Sequence, residues 1–183
     1  MTRQFTLIFT ILLGFLPLFS QSNSDSSATA LIEFEMKDQF NREYTHESWG
    51  DSIIVVFGSD RDGSEFNRIW GEAIQDSLKN EPGFDKVRYV AVADLRGVPF
   101  FLKGLVKGFF PKENRKLWIL LDWKGRFAED YHFVKGKSNI LIFNRQQQLM
   151  RHFAVTEMNP EQLSEILATL QSQLKDKLGK DKG

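Results

Sequence analysis

The run Ser52-Ile53-Ile54-Val55-Val56-Phe57 constrains the fold more than any other stretch. It is β-branched, too short for a stable helix, and lacks the alternation of a strand with one wet face. Such a run is a strand buried on both faces, at the centre of a sheet covered on each side. Val87 to Asp94 and Leu117-Trp118-Ile119-Leu120-Leu121 have the same character. Between the first two lies an amphipathic segment with Phe66, Ile69, Trp70, Ala73, Ile74 and Leu78 at steps of three and four. Ser64 or Asp62 is suited to cap its start, and Pro82-Gly83 ends it.

Val98 to Phe110 reads as a second helix, with Val98, Phe101, Leu102, Leu105 and Phe109 on one face and Pro111 as its stop. Phe127 to Phe133 reads as a short helix. Asn139–Phe143 and Gln148–Phe153 form a hairpin around Asn144-Arg145-Gln146-Gln147. In the last element Asn159 caps, Pro160 takes the first helical position and Glu161 favours the positive helix end. Leu163, Ile166, Leu167, Leu170 and Leu174 are its buried stripe. Ala30 to Met36 and Glu43-Tyr44-Thr45, joined by the turn residues Asp38 to Arg42, form an N-terminal β-hairpin. The whole is an α/β fold with a central mixed β-sheet flanked by helices.

Composition narrows what this fold can do. Lys plus Arg is 24 and Asp plus Glu is 24, so no bulk basic charge argues for nucleic acid. There is no cysteine, which excludes disulfides, thiolate nucleophiles and dithiol redox couples. Residues 1–20 read as a signal peptide: Arg3, then an apolar run from Phe5 to Phe19 broken by Pro17, then Ser20. That run is shorter than the ~20 residues of a membrane span. Cleavage is expected after Ser20, with Ala30 a second choice and an uncleaved anchor the alternative. Residues 21–30 then form a flexible leader, 31–176 the domain and 177–183 a disordered tail. Periplasmic or secreted location follows.

This order of elements resembles the thioredoxin-like superfamily, a three-layer sandwich. Ile53–Phe57 looks like its central strand, Asp60–Gly63 and the helix from Ser64 like its active-site turn and following helix, and Asn139–Phe153 like its C-terminal hairpin. Leu120 to Tyr131 is similar to the peroxiredoxin-type stretch before that hairpin. A narrower similarity, to the YtfJ-like exported proteins of Gram-negative bacteria, rests on Arg61–Asn67, Asn114–Trp118 leading to Asp122, and Lys135–Phe143. The resemblance implies a degenerate active-site turn at Arg61, Asp62, Gly63, Ser64 and Glu65, where Asp62 and Glu65 occupy the positions of the redox pair. It also implies a facing loop at Lys137 and Ser138, where that superfamily carries a cis-proline and this chain carries none.

A carboxylate at a helix N-terminus is stabilised but cannot exchange disulfides. No thiol–disulfide oxidoreductase or thiol peroxidase activity, no cofactor and no catalytic residue are therefore expected. The favoured function is a non-catalytic binding or accessory protein that holds a protein partner or small ligand at the old active-site face. The alternative is a redoxin-derived enzyme working without thiols, with Asp60, Asp62 and Glu65 as metal ligands. Against it, acidic residues at a helix start routinely serve capping and dipole neutralisation. An EF-hand also fails, because Glu65 and Gly71 stand where that loop needs Gly and Glu. His46, His132 and His152 show no ligand spacing. Lys103, Lys107, Lys112, Arg115 and Lys116, interleaved with Phe100, Phe101, Phe109 and Phe110, offer a docking surface for an acidic partner or anionic lipid. The competing reading is an ordinary amphipathic helix whose lysines face water. Trp49, Trp118 and Trp123 are expected to pack in the interior.

Overall fold

The computed structural model describes residues 30–112 and 118–175. The expected signal peptide, all of the expected leader but Ala30, Arg115, Lys116 and the expected 177–183 tail lie outside them. The chain runs β1 (Glu35–Lys37), β2 (Glu43–Thr45), β3 (Ile53–Ser59), α1 (Ser64–Leu78), β4 (Val87–Asp94), α2 (Lys103–Gly108), β5 (Ile119–Asp122), α3 (Arg126–Asp130), β6 (Ser138–Phe143), β7 (Leu149–Val155) and α4 (Pro160–Lys175). The main sheet has the order β5-β4-β3-β6-β7. β3 pairs parallel with β4 and antiparallel with β6, β4 pairs parallel with β5, and β6–β7 is an antiparallel hairpin. The sheet is mixed, as expected, and β1–β2 forms a separate two-stranded sheet.

β3 explains the run that opened the sequence. Every one of its residues is buried. Ile54 and Val56 enter one core with Phe34, Trp49, Phe127 and Phe143. Ile53, Val55 and Phe57 enter the other with Trp70, Ile74, Ile166 and Leu170. Successive side chains point to opposite faces, so the five residues between the two cores are all apolar, and the buried Ser59 at the strand's end is satisfied by Asn67. α1 and α4 cover one face. The N-terminal hairpin and α3 cover the other.

The hairpin also protects a sheet edge, which its turn chemistry alone did not suggest. Asp38 is fully buried, and its carboxylate accepts hydrogen bonds from the Phe40 and Arg42 amides at 2.8 and 2.9 Å. The adjacent Gln39 Oε1 accepts from the Ile119 amide of the outer strand β5 at 3.1 Å. A free edge of a sheet is a template for unwanted pairing, and this contact closes part of it. At the opposite edge Ala30 bridges to Gln148.

One expectation fails. Val98 to Phe110 is not one long helix with a buried face. It is a 3-10 turn at Phe100–Leu102 followed by the six residues of α2. Phe100, Phe101, Leu105 and Phe109 are 86%, 81%, 61% and 77% exposed. α2 packs substantially only against its own leading turn, so there is no surface for that face to cover. Smaller adjustments are ordinary end effects: Phe127–Phe133 shortens to Arg126–Asp130, and the hairpin strands each lengthen.

Candidate functional site

The carboxyl ends of the parallel strands β3, β4 and β5 share one edge of the sheet, and β3 delivers the turn 60–63 there. Asp60 organises the turn. Its Oδ1 accepts from the Gly63 amide at 2.9 Å, and its Oδ2 accepts from the Gly136 amide at 3.0 Å. One carboxylate thus shapes the turn and ties it to the loop before β6. The tie is close. A Cβ added to Gly63 would lie 2.2 Å from the Lys137 carbonyl oxygen, so only glycine lets the two backbones meet. The expected active-site turn and facing loop are therefore in direct contact.

The expected cap of α1 is corrected. Gly63 is the N-cap, and no side chain caps. Ser64 Oγ instead donates to the Arg61 carbonyl at 2.7 Å. The turn is already closed by Asp60, two residues before Asp62 and four before Ser64. Arg61, Asp62, Ser64 and Glu65 stand exposed around the buried Gly63, and Lys137 is half-buried opposite.

The facing loop is held by a residue that the sequence pattern did not single out. Asn139 is fully buried. Its Oδ1 accepts from the Val134 amide at 2.7 Å, and its Nδ2 donates to the carbonyls of Gly58, Val134 and Lys137 at 3.1–3.2 Å. His152 Nε2 lies 3.1 Å from the same Oδ1. Because that oxygen only accepts, Nε2 is the protonated ring nitrogen. Burial, and then the nearby His132 charge, pushes the His152 pKa down. The sequence separation of His132 and His152 concealed this proximity. Ser138 is fully buried with its hydroxyl unpartnered, behind the contact of Gly63 with Lys137. On α1, Asn67 Nδ2 donates to Ser59 Oγ at 2.8 Å and fastens the helix to the end of β3.

Asp60, Asp62 and Glu65 do not converge as metal ligands. Among the described residues no group of three His, Asp or Glu side chains is placed to hold a metal. The Asp60 oxygens already face backbone amides.

Further along the edge, Asp94 and Asp122 are register partners at the ends of β4 and β5. Asp94 grips Arg96 at 2.6 Å. Asp122 Oδ2 accepts from the Phe127 and Ala128 amides at 2.8 and 3.2 Å and so starts α3. Burial pushes the Asp122 pKa up, and these N–H groups oppose the shift. Trp49 is fully buried as expected, whereas Trp118 and Trp123 are half-buried. Lys103 Nζ sits 5.0 Å from the centre of the Trp123 ring. Lys107 bonds Asn41 Oδ1.

No protein-family model matches the chain, and no curated protein matches it in sequence. Solved structures do match it in fold. The pneumococcal exposed lipoprotein thioredoxin of Streptococcus pneumoniae superposes with a TM-score of 0.54 at 15% identity, covering 75% of this chain and 99% of its own. A SCO1/SenC family lipoprotein from Bacillus anthracis gives 0.58 at 11% identity, covering 80% and 96%. A secreted Mycobacterium tuberculosis disulfide oxidoreductase homologous to DsbE gives 0.50 at 15%, covering 74% and 95%. The fold is thioredoxin-like. This chain carries it without cysteine. The narrower similarity to YtfJ-like proteins rests on its sequence stretches alone.

Proposed function

We propose that this chain is an exported, non-catalytic thioredoxin-like protein that grips a protein partner with its former active-site face. The observation that carries the reading is the clasp of the turn onto the facing loop. The turn that would carry a redoxin's thiol pair and the loop that would face it meet here through Asp60 and Gly63, without sulfur. Backbone occupies the space between them, so a small ligand has no room there. What faces outward is a mixed-charge array of Arg61, Asp62, Ser64 and Glu65 beside Lys137. Complementary charge on a partner would favour specific docking there. Export is supported by Arg3, the apolar run to Phe19 and Ser20.

A photoreactive residue at position 62 tests the reading, applied to extracts of the exported fraction. One partner is expected to crosslink from position 62 and not from position 164 on α4, and Glu65→Arg is expected to abolish the crosslink. Equal crosslinking from both positions, or none, sinks the proposal. Insulin reduction or thiol-dependent peroxide consumption by the pure protein would contradict the non-catalytic part. Amino-terminal sequencing of the exported protein is expected to begin at Gln21.

A further inference from the structure

Residues 95–112 contain Arg96, Lys103, Lys107 and Lys112 and no acidic residue. Phe100, Phe101, Leu105 and Phe109 within them are the most exposed large apolar side chains described. Solvent-facing aromatics clustered on one short segment mark an interaction site. We propose that this segment docks the protein onto an anionic phospholipid surface.

Shape and charge favour a membrane over a groove on another protein. The segment is tied to the domain on one side, where Lys107 bonds Asn41 Oδ1, and open on the other, where a Cβ added at Gly97, Gly104 or Gly108 would touch nothing within 4 Å. An open face carrying aromatic rings suits insertion between headgroups of a flat surface. One cation lies at the level of the rings. Lys103 Nζ is 5.8 Å from the centre of the Phe100 ring and 5.0 Å from that of Trp123. Rings at the acyl boundary therefore place that ammonium group among lipid phosphates, where each basic side chain strengthens binding. Arg96 is paired with Asp94 and Glu129, so the attraction rests on Lys103, Lys107 and Lys112, and the segment itself has no acidic residue.

The absence of native cysteine makes the test direct. Phe101→Cys in the full chain carries an environment-sensitive fluorophore at one place only, and Ser164→Cys on α4 provides the comparison. Vesicles of phosphatidylglycerol and phosphatidylcholine are expected to blue-shift the probe at 101 and leave the probe at 164 unchanged. Lys103→Gln with Lys107→Gln is expected to raise the lipid needed for half-response about 30-fold, and high salt to do the same. Phe100→Ser with Phe109→Ser is expected to remove the shift. These positions are surface ones, and unchanged circular dichroism checks the fold of each variant. A silent probe at 101 overturns the proposal. So does an equal response at 101 and 164, which assigns membrane contact to another part of the chain. A response to neutral phosphatidylcholine that ignores the lysine changes overturns it as well. A response to polyglutamate but not to vesicles reassigns the patch to an acidic protein.

Discussion

α1 and the segment 100–108 look alike in sequence and end differently. Both place large apolar residues at steps of three and four. In α1 the stripe is covered: Trp70, Ile74 and Leu78 are fully buried against β3, β6 and α4, and the Trp70 indole donates to the Thr156 carbonyl at 2.7 Å. In the other segment the rings face water. The difference is one of reach. α1 has fifteen residues and crosses the sheet face. α2 has six, about 9 Å of helix, and stays at the sheet edge beside its own leading turn. Periodicity reveals that a face exists. It does not reveal whether anything covers it.

Substitutions break or sharpen this comparison. The largest effect is expected from Trp70→Ala, which leaves a cavity and orphans a carbonyl, costing about 3–5 kcal/mol. Phe101→Ser is expected to stay within about 0.5 kcal/mol of the parent, as surface changes do. Urea unfolding of the two variants checks the contrast, and equal losses would show that segment 100–108 is covered after all.

Glycines give the next test. Gly63→Ala forces a methyl onto the Lys137 backbone and is expected to destabilise by about 1–3 kcal/mol. Gly104→Ala, in open space on α2, is expected to stabilise by up to about 1 kcal/mol. Thermal unfolding of both variants reads the sign.

Asp60→Ala removes the acceptor shared by Gly63 and Gly136, and a loss of about 1–3 kcal/mol is expected. Hydrogen exchange should quicken at those two amides and remain unchanged in α4. Uniform quickening would mean that Asp60 supports the whole fold rather than the clasp.

The smallest effect belongs to His152. Its pKa in the folded protein lies below the unfolded value of 6.5. As pH falls through 6.5 the unfolded chain takes up a proton that the folded chain refuses. Stability is therefore fully present above that pH and declines as pH drops toward the lowered value. Between pH 7.5 and 5.5, melting temperature is expected to fall less in His152→Gln than in the parent. Identical slopes would remove His152 from the acid response.

The core of the fold was legible because burial imposes local rules. A strand between two cores must be apolar at every position, as Ile53–Phe57 is, and Asn159-Pro160-Glu161 states a helix start within three residues. Asn159 Oδ1 does accept from the Glu161 and Gln162 amides at 2.9 and 3.1 Å. The candidate site was half legible. The family resemblance, counted from Phe57, put a turn at 61–65 and a facing loop at 137–138, and the structure brings these two segments into contact. The roles of Asp60, Asn139 and His152 were not legible, because each acts on backbone or side chains far away in sequence. Asp60 meets Gly136 across 76 positions, and Asn139 meets Gly58 across 81.

The sequence by itself determined the layer order, the buried strands and the absence of cysteine. Those properties depend on residue type and near-neighbour spacing, which a linear chain carries openly. Tertiary structure alone decided that Asp60 clasps two loops together and that four aromatic and aliphatic side chains of segment 100–109 are left uncovered. Both outcomes depend on which surfaces meet, and that is set by the distances the connecting elements span.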